Sequence, residues 1–362
     1  MTYCIALDWL ALWCSIPTGS FSVAAGDGNP LFYKHPWVIK REQYGTRQFK
    51  ELHRVTFMGE DFAEVQTAPY SSILDPMACV VRVCNRYLYK TDVWYYLGEF
   101  LDEFSIRIES VSRCDICADF NSFKCYECIP FIKDFLDGTI RHKGRGKGAA
   151  YFDHRSKNVG GASISTVKYS GLSFGSNESD VRAYLYNKTF ELQSVKDKPY
   201  IRDMWRRAGL DITRDVWRLE ISIKSGGRKF RDKMTGAERE IRSDDLKNKD
   251  EVCKLFHTFQ RKYFAFVKNK HRITNISREP LIELFDLSGG YVHICLRAVS
   301  GGNRTERILI KQLWQMADTY RGNDLCTDEG LTKSLAVSLA LSTDLREWLE
   351  KKSKEWDKPH KK

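Results

Sequence analysis

Two aspartates lie close together in CDICADF (114–120), a segment whose polar and apolar residues alternate as in a β-strand. Successive side chains of a strand point to opposite faces, so Asp115, Cys117 and Asp119 share one face. The other face is wholly apolar, as expected of a strand that packs on a core. The two carboxylates converge if their face lines a cleft. The ordinary alternative is a solvated outer face.

Two further segments, VRAYLYNK (181–188) and DVWRLEISIK (215–224), also combine an apolar face with a face of reactive groups. The reactive side chains are Arg182, Tyr184, Tyr186 and Lys188 in the first segment and Arg218 and Glu220 in the second. If the three strands belong to one sheet packed on helices, these groups form a single surface with the aspartates.

Such a surface has a chemical logic. Carboxylates bind hard divalent cations, usually Mg²⁺ or Mn²⁺, and a bound cation polarises a phosphodiester. A tyrosine phenolate can attack phosphorus and form a covalent intermediate, while Lys and Arg neutralise the phosphate. Tyr and Arg also alternate on ordinary exposed strands, so spacing alone leaves both interpretations open.

The cysteines of this region, Cys114, Cys117, Cys125 and Cys128, have the spacing of zinc ligands. On a strand, however, Cys114 and Cys117 point to opposite faces and cannot share a metal. The second pair falls on the apolar stripe of a predicted helix over 122–137. The sequence therefore favours buried cysteines, and a zinc-dependent regulatory module remains the alternative.

The chain has 362 residues, a net charge of +11 and a pI near 9.0. This charge favours a polyanionic partner, nucleic acid first and an anionic membrane surface second. The apolar N-terminus lacks a basic n-region and is interrupted by Asp8, so it is predicted to be a buried first strand rather than a signal peptide. No stretch reaches the length of a membrane span, and a soluble cytoplasmic protein is expected.

The pattern along the chain predicts an α+β fold, in which an antiparallel sheet packs on helices. Residues 1–225 form the predicted catalytic and DNA-binding domain. Residues 226–248 are dense in mixed charge and are predicted to be a linker or arm. Residues 249–362 are predicted to form a mainly helical C-terminal domain.

Four motifs occur in a suggestive order: DWLALW, RCDICADF, GLSFGSNESDVRAYLYNKTFE and WRLEIS. Their order resembles that of the Rep_trans family, the rolling-circle replication initiators of small plasmids, and of related nicking proteins of integrative elements. The resemblance covers about residues 1–225. It departs from the family pattern in GSNESD, which lacks the usual arginine, and there is no pair of histidines of the HUH type.

The resemblance implies a divergent HUH-like, RRM-like sheet and a DNA endonuclease and strand transferase. Such an enzyme nicks one strand at a specific site, forms a 5′-phosphotyrosyl intermediate and leaves a 3′-OH primer. It implies Tyr186 as the nucleophile, with Tyr184 as the fallback. The other implied roles are catalytic for Lys188 and Arg218 and metal-binding, with Mg²⁺ or Mn²⁺, for Asp115, Asp119 and Glu220.

A basic, glycine-rich loop at 139–150 is expected to contact DNA phosphates. The predicted DNA-binding residues are Arg141, Lys143, Arg145, Lys147 and Arg182. The implied partners are an origin with an inverted repeat, single-stranded at the nick, a second copy of the chain, and the host helicase and polymerase; no membrane partner is expected. A relaxase with the same chemistry and a non-enzymatic DNA-binding regulator are the alternatives.

Overall fold

The computed structural model of the protein describes residues 1–17, 31–34, 36–143, 148–159, 162–194, 197–269, 279–287 and 291–296. The chain divides into a unit from Met1 to Ala298 and a second from Val299 to Lys362, and all the described residues belong to the first.

The described strands are β1 (Tyr3–Ser15), β2 (Leu31–Lys34), β3 (Trp37–Arg41), β4 (Phe49–Phe57), β5 (Glu60–Pro69), β6 (Ala78–Val83), β7 (Arg107–Phe120), β8 (Ile140–His142), β9 (Gly148–Val159), β10 (Ala162–Phe174), β11 (Val181–Asn187), β12 (Trp217–Lys224), β13 (Lys229–Arg231), β14 (Glu238–Glu240), β15 (Phe266–Lys268) and β16 (Ile294–Cys295). The helices are α1 (Asn85–Leu88), α2 (Val93–Glu103), α3 (Cys128–Leu136), α4 (Lys188–Ser194), α5 (Pro199–Arg207), α6 (Ser243–Lys247) and α7 (Lys249–Tyr263).

A large antiparallel sheet dominates the described part of the chain. Its strand order is β2-β3-β4-β5-β6-β1-β7-β12-β11-β10-β9. The N-terminal strand β1 lies between β6 and β7, which confirms the prediction of a buried first strand. Because β12 joins β7 to β11, the three segments with reactive faces are neighbours.

Helices cover one face of the sheet along the apolar side of these strands. The face of β7 with Cys114, Ile116, Ala118 and Phe120 packs in one core with side chains of α2, α3 and α7. A smaller apolar cluster joins α4 and α5 and includes Trp205. The predicted α+β class, an antiparallel sheet packed on helices, is confirmed.

Residues 226–248, predicted as a linker or arm, contain β13, β14 and α6. They bury Phe230, Ile241 and Leu246 in the same core as the central strands. The helix α7 follows directly and packs there too. Residues 279–287, which have a helical sequence pattern, form neither helix nor strand.

The predicted helix at 122–137 begins later than expected, at Cys128, and residues 121–127 before it form bends and irregular backbone. No helix in the described residues is long and apolar enough to cross a bilayer.

Candidate active site on the central sheet

The sheet register aligns the reactive residues of β7, β12 and β11. Arg218 of β12 lies opposite Asp119 on one side and Tyr186 on the other. Glu220 lies opposite Cys117 and Tyr184 in the same way. Paired residues of neighbouring strands point to the same face, so the reactive groups share one surface, as the alternation predicted.

Tyr186 is the centre of a small acid–base cluster. Its hydroxyl donates a hydrogen bond to Oε2 of Glu220 at 3.0 Å and accepts one from Nζ of Lys188 at 3.4 Å. Lys188 is buried and also forms an ion pair with Glu191 on the same helix. One phenol thus contacts both a carboxylate and an ammonium group.

The surroundings of this cluster favour the protonated, neutral forms of Glu220 and Tyr186. Burial, assisted by the charges of Asp8 and Asp115, raises the pKa of Glu220 to about 7. Burial and then the nearby Glu220 carboxylate raise the pKa of Tyr186 well above its usual value. The phenol therefore keeps its proton at neutral pH, while Glu220 is poised to gain or lose one.

Arg218 is completely buried beside this cluster. Its Nε and Nη2 donate to Oδ1 and Oδ2 of Asp119 at 2.6 and 2.7 Å, and its Nη1 donates to Oδ1 of Asp8 at 2.7 Å. The hydroxyl of Tyr89 accepts a further hydrogen bond from Nη2 at 3.0 Å. Trp205 of α5 completes the shell of Asp119, because its Nε1 donates to Oδ2 at 2.6 Å.

Asp8 is a site residue that the sequence interpretation did not assign, although it stands in the DWLALW motif. The register of β1 shifts between Leu7 and Trp9, so Asp8 sits at a bulge. Bulges re-aim side chains and are frequent beside functional sites. Burial opposes ionisation of Asp8, but Arg218 and Lys188 outweigh it and hold its pKa well below the ordinary value. The signal that the sequence offered for this site residue was a single charged residue within the apolar N-terminal segment.

The three carboxylates predicted to bind a metal do not form a common ligand set. Asp115 and Asp119 are four residues apart on β7, which separates their Cα atoms by about 13 Å. Both oxygens of Asp115 accept from Arg113, at 2.9 and 2.5 Å, just as both oxygens of Asp119 are taken by Arg218 and Trp205. Glu220 alone lies against the tyrosine. Arginines bind two of the three carboxylates, and one cation held by all three stays a prediction from the sequence.

Another group in the described part of the chain does bring ligand atoms together. Those of Asp232, Glu251 and His293 lie within 4.8 Å of one another, as a divalent cation would require. Nδ1 of His293 accepts from the Lys233 amide at 3.3 Å, and Nε2 lies 2.8 Å from Oε1 of Glu251. Arg239 contacts both acids as well, so these hydrogen bonds account for the cluster without a metal.

Cys114, Cys117 and Cys128 lie as the strand and helix patterns predicted, whereas the prediction that Cys125 lies on a buried helical stripe is wrong, because the helix begins only at Cys128. Cys114 faces the helical core, whereas Cys117 lies on the reactive face opposite Glu220. Cys128 is buried at the start of α3, and Cys125 is exposed. The first two thiols lie on opposite sides of the sheet and cannot bind one zinc ion.

The described members of the predicted DNA-binding set lie on different elements. Arg141 is exposed on β8, and Nζ of Lys143 donates to the carbonyl of Glu279 at 3.4 Å. The guanidinium of Arg182 lies 3.8 Å from the centre of the Tyr184 ring. Arg145 and Lys147 lie outside the described residues.

Comparison with protein-family models and with curated proteins gave no match. Solved structures similar to the chain include that of a rolling circle replication initiator protein from Geobacillus stearothermophilus. The TM-score is 0.42 at 16% sequence identity, and the match covers 78% of this chain and 94% of that one. Likeness at this level is not evidence of function.

Proposed function

We propose that the protein is a DNA strand transferase that nicks one strand at a specific site, with Tyr186 as the nucleophile. The observation that carries the proposal is the contact of one phenol with Glu220 at 3.0 Å and Lys188 at 3.4 Å. The net charge of +11 supports a polyanionic substrate. Simple DNA binding requires no such acid–base pair around a tyrosine.

In the proposed step, ionised Glu220 accepts the phenol proton as the tyrosine oxygen attacks phosphorus. The bond between phosphorus and the 3′ oxygen breaks, and that oxygen takes a proton from solvent to become a 3′-OH. A 5′-phosphotyrosyl bond replaces the phosphodiester, so the reverse reaction rejoins the strand. Because burial disfavours the free phenolate, proton transfer must accompany the attack.

Lys188 has a distinct part in this scheme. Its Nζ donates to the same oxygen that becomes negative during the attack. A cation fixed beside a developing negative charge stabilises the transition state more than the ground state. We assign Arg218 a positioning role instead, since Asp119 and Asp8 engage its guanidinium.

A divalent cation, Mg²⁺ or Mn²⁺, is still expected of this chemistry from the sequence resemblance. Arg113 and Arg218 bind Asp115 and Asp119, so the predicted ligands Asp115, Asp119 and Glu220 do not fit one ion. In the proposed reaction Glu220 does the acid–base work.

Tyr184 remains the fallback nucleophile. It lies opposite Glu220 in the register, but its ring carries the Arg182 guanidinium. The geometry favours Tyr186, because its hydroxyl meets both Glu220 and Lys188.

The biological role that best suits this chemistry is initiation of rolling-circle replication on a divergent HUH-like sheet. The 3′-OH would prime synthesis by a host polymerase, with a host helicase opening the duplex at an origin that contains an inverted repeat. A homodimer is part of the same expectation. A relaxase would use the same chemistry, and a non-enzymatic regulator would bind DNA without it.

The test is incubation with supercoiled DNA of the protein's own genetic element, with Mg²⁺, with Mn²⁺ and with EDTA. We expect relaxed circles and a protein–DNA adduct that survives denaturation. Tyr186→Phe should bind DNA without forming the adduct, whereas the matched variant Tyr184→Phe should still form it. An adduct in Tyr186→Phe but not in Tyr184→Phe would identify Tyr184 as the nucleophile. DNA binding by the unaltered protein without any adduct would favour the non-enzymatic regulator.

A further inference from the structure

A row of cationic side chains crosses the sheet at right angles to its strands. The register pairs one residue of each strand with the next across seven strands, β12, β7, β1, β6, β5, β4 and β3. In that strand order the paired residues are Lys224, Arg113, Ala11, Arg82, Glu64, Arg54 and Lys40. We call the five cations of this line, Lys224, Arg113, Arg82, Arg54 and Lys40, the basic row. At about 4.8 Å per strand, the line across seven strands is about 29 Å long.

The basic row lies on the same face of the sheet as the proposed nucleophile. Lys224 is four residues from Glu220 on β12, and Arg113 is two residues from Asp115 on β7. Even spacing along a strand keeps side chains on one face. Ideal sheet spacing places Trp9 about 20 Å from Tyr186, three strands across and four residues along.

The middle of the basic row lies beside an indole. Ala11, the small residue between Arg82 and Arg113, is buried in an apolar cluster against which Trp9 packs. Both guanidinium carbons lie 4.7 Å from the Trp9 ring centre. The buried Nε1–H of Trp9 has no acceptor among the described residues, and Trp13 lies two residues beyond Ala11.

The row keeps exposed positive charge. Side-chain exposure is 47% for Arg54, 31% for Arg82 and 36% for Arg113, and Lys40 is exposed as well. Three carboxylates, those of Glu42, Glu64 and Asp115, pair with the three arginines. Five cations against three carboxylates leave an excess of two positive charges.

We infer that the basic row and Trp9 form a subsite for single-stranded DNA, which extends the proposed cleavage site and rests on the proposed function. Phosphates would lie on the cations, and an unpaired base would stack on the layer that Trp9 forms with the guanidiniums of Arg82 and Arg113. Aromatic side chains next to a basic track bind single strands because every base offers a flat face. A duplex hides those faces, so the indole argues for an unpaired strand.

The test uses Tyr186→Phe protein, so that no chemistry interferes, and a fluorescein-labelled 20-nucleotide oligo(dT) observed by anisotropy. Trp9→Ala should weaken binding roughly 5- to 150-fold. Arg82→Ala and Arg113→Ala should each lower the slope of log K against log salt by about 0.7. The matched control is Arg231→Ala, an exposed arginine paired with Glu238 in the small three-stranded sheet, which should bind like the parent.

Two further measurements guard against loss of folding. Trp9→Phe and Arg82→Lys should recover most of the affinity. Photocrosslinking of a bromodeoxyuridine oligonucleotide to the unaltered chain should label the peptide that contains Trp9. Parental affinity and salt slope in the alanine variants, with labelling elsewhere, would overturn the inference. So would tighter binding of duplex DNA or of oligo(U) than of oligo(dT).

The outcomes separate this inference from the proposed function. Loss of binding in Trp9→Ala without any adduct in the unaltered protein would retain the subsite and reject the nicking. An adduct that forms normally in the Trp9 and Arg82 variants, with normal oligonucleotide binding, would retain the nicking and reject the subsite.

Discussion

The guanidinium of Arg218 meets the carboxylate of Asp119 through two parallel hydrogen bonds of 2.6 and 2.7 Å, with both side chains at 0% exposure. The pair joins β12 to β7, and Arg218 is also the residue of β12 that lies opposite Tyr186 of β11. Asp8 and Trp205 bring the N-terminal strand and α5 to the same point. This network fixes the strands on which Tyr186 and Glu220 depend.

Removal of Arg218 should therefore be costly. Arg218→Met leaves Asp119 as a buried charge without its cation and removes one of the two cations beside Asp8, so we expect the free energy of unfolding to fall by about 3–5 kcal/mol. Arg206→Ala removes an exposed partner of Asp203 and should cost about 0–1 kcal/mol. Denaturant unfolding of both variants measures the difference. Equal stability of the two would contradict the network.

Adduct formation should rise with pH through about 7, because only ionised Glu220 accepts the phenol proton. Glu220→Gln should slow the reaction by about 10²–10⁴-fold and flatten the pH profile. Glu238→Gln, an exposed change in the small sheet, should keep the parental profile. Single-turnover rates between pH 5.5 and 8.5 provide the check. An unchanged profile in Glu220→Gln would remove Glu220 as the base.

The same carboxyl should make stability depend on pH in a predictable direction. Its folded pKa lies above its unfolded value, so its contribution is full below the unfolded pKa and is lost as pH rises through about 7. Glu220→Gln should gain about 1–3 kcal/mol relative to the parent between pH 5 and pH 8. Unfolding free energies at the two pH values test this, and a constant difference would contradict it.

Gly171 should be required for the position of Tyr186, with which it pairs across β10 and β11. A Cβ atom at Gly171 would lie 2.3 Å from the Leu185 carbonyl oxygen and 3.2 Å from Cα of Tyr186. Gly171→Ala should destabilise the fold by about 1–3 kcal/mol and reduce adduct formation more than oligonucleotide binding. Gly98→Ala in α2, where a Cβ meets nothing within 4 Å, should gain about 0.5–1 kcal/mol and keep full activity.

We expect that the cysteines with the spacing of zinc ligands bind no zinc. Cys114 and Cys117 lie on opposite faces of β7, so thiol modification should release no tightly bound zinc from the purified protein. Elemental analysis before and after modification gives the answer. One zinc per chain that is lost on modification would restore the zinc-dependent regulatory module.

The sequence was sufficient to sort the side chains of the three strands into two faces, because alternation along an extended chain is a local property. It identified Tyr186, Glu220 and Arg218 as members of one face before their strands were placed side by side. It could not rank the depth of those groups. Alternation predicts that Asp115 and Asp119 share a face, but it predicts neither the separation of about 13 Å between their Cα atoms nor the arginines that bind them.

Tertiary structure alone decided which strands are neighbours and in which register. The order β7-β12-β11 brings together segments from distant parts of the chain, and packing of the whole core selects that order. The bulge at Asp8, the reach of Trp205 from α5 and the alignment of the basic row across seven strands all follow from it. None is encoded within a single segment, because each depends on a register that only the assembled sheet fixes.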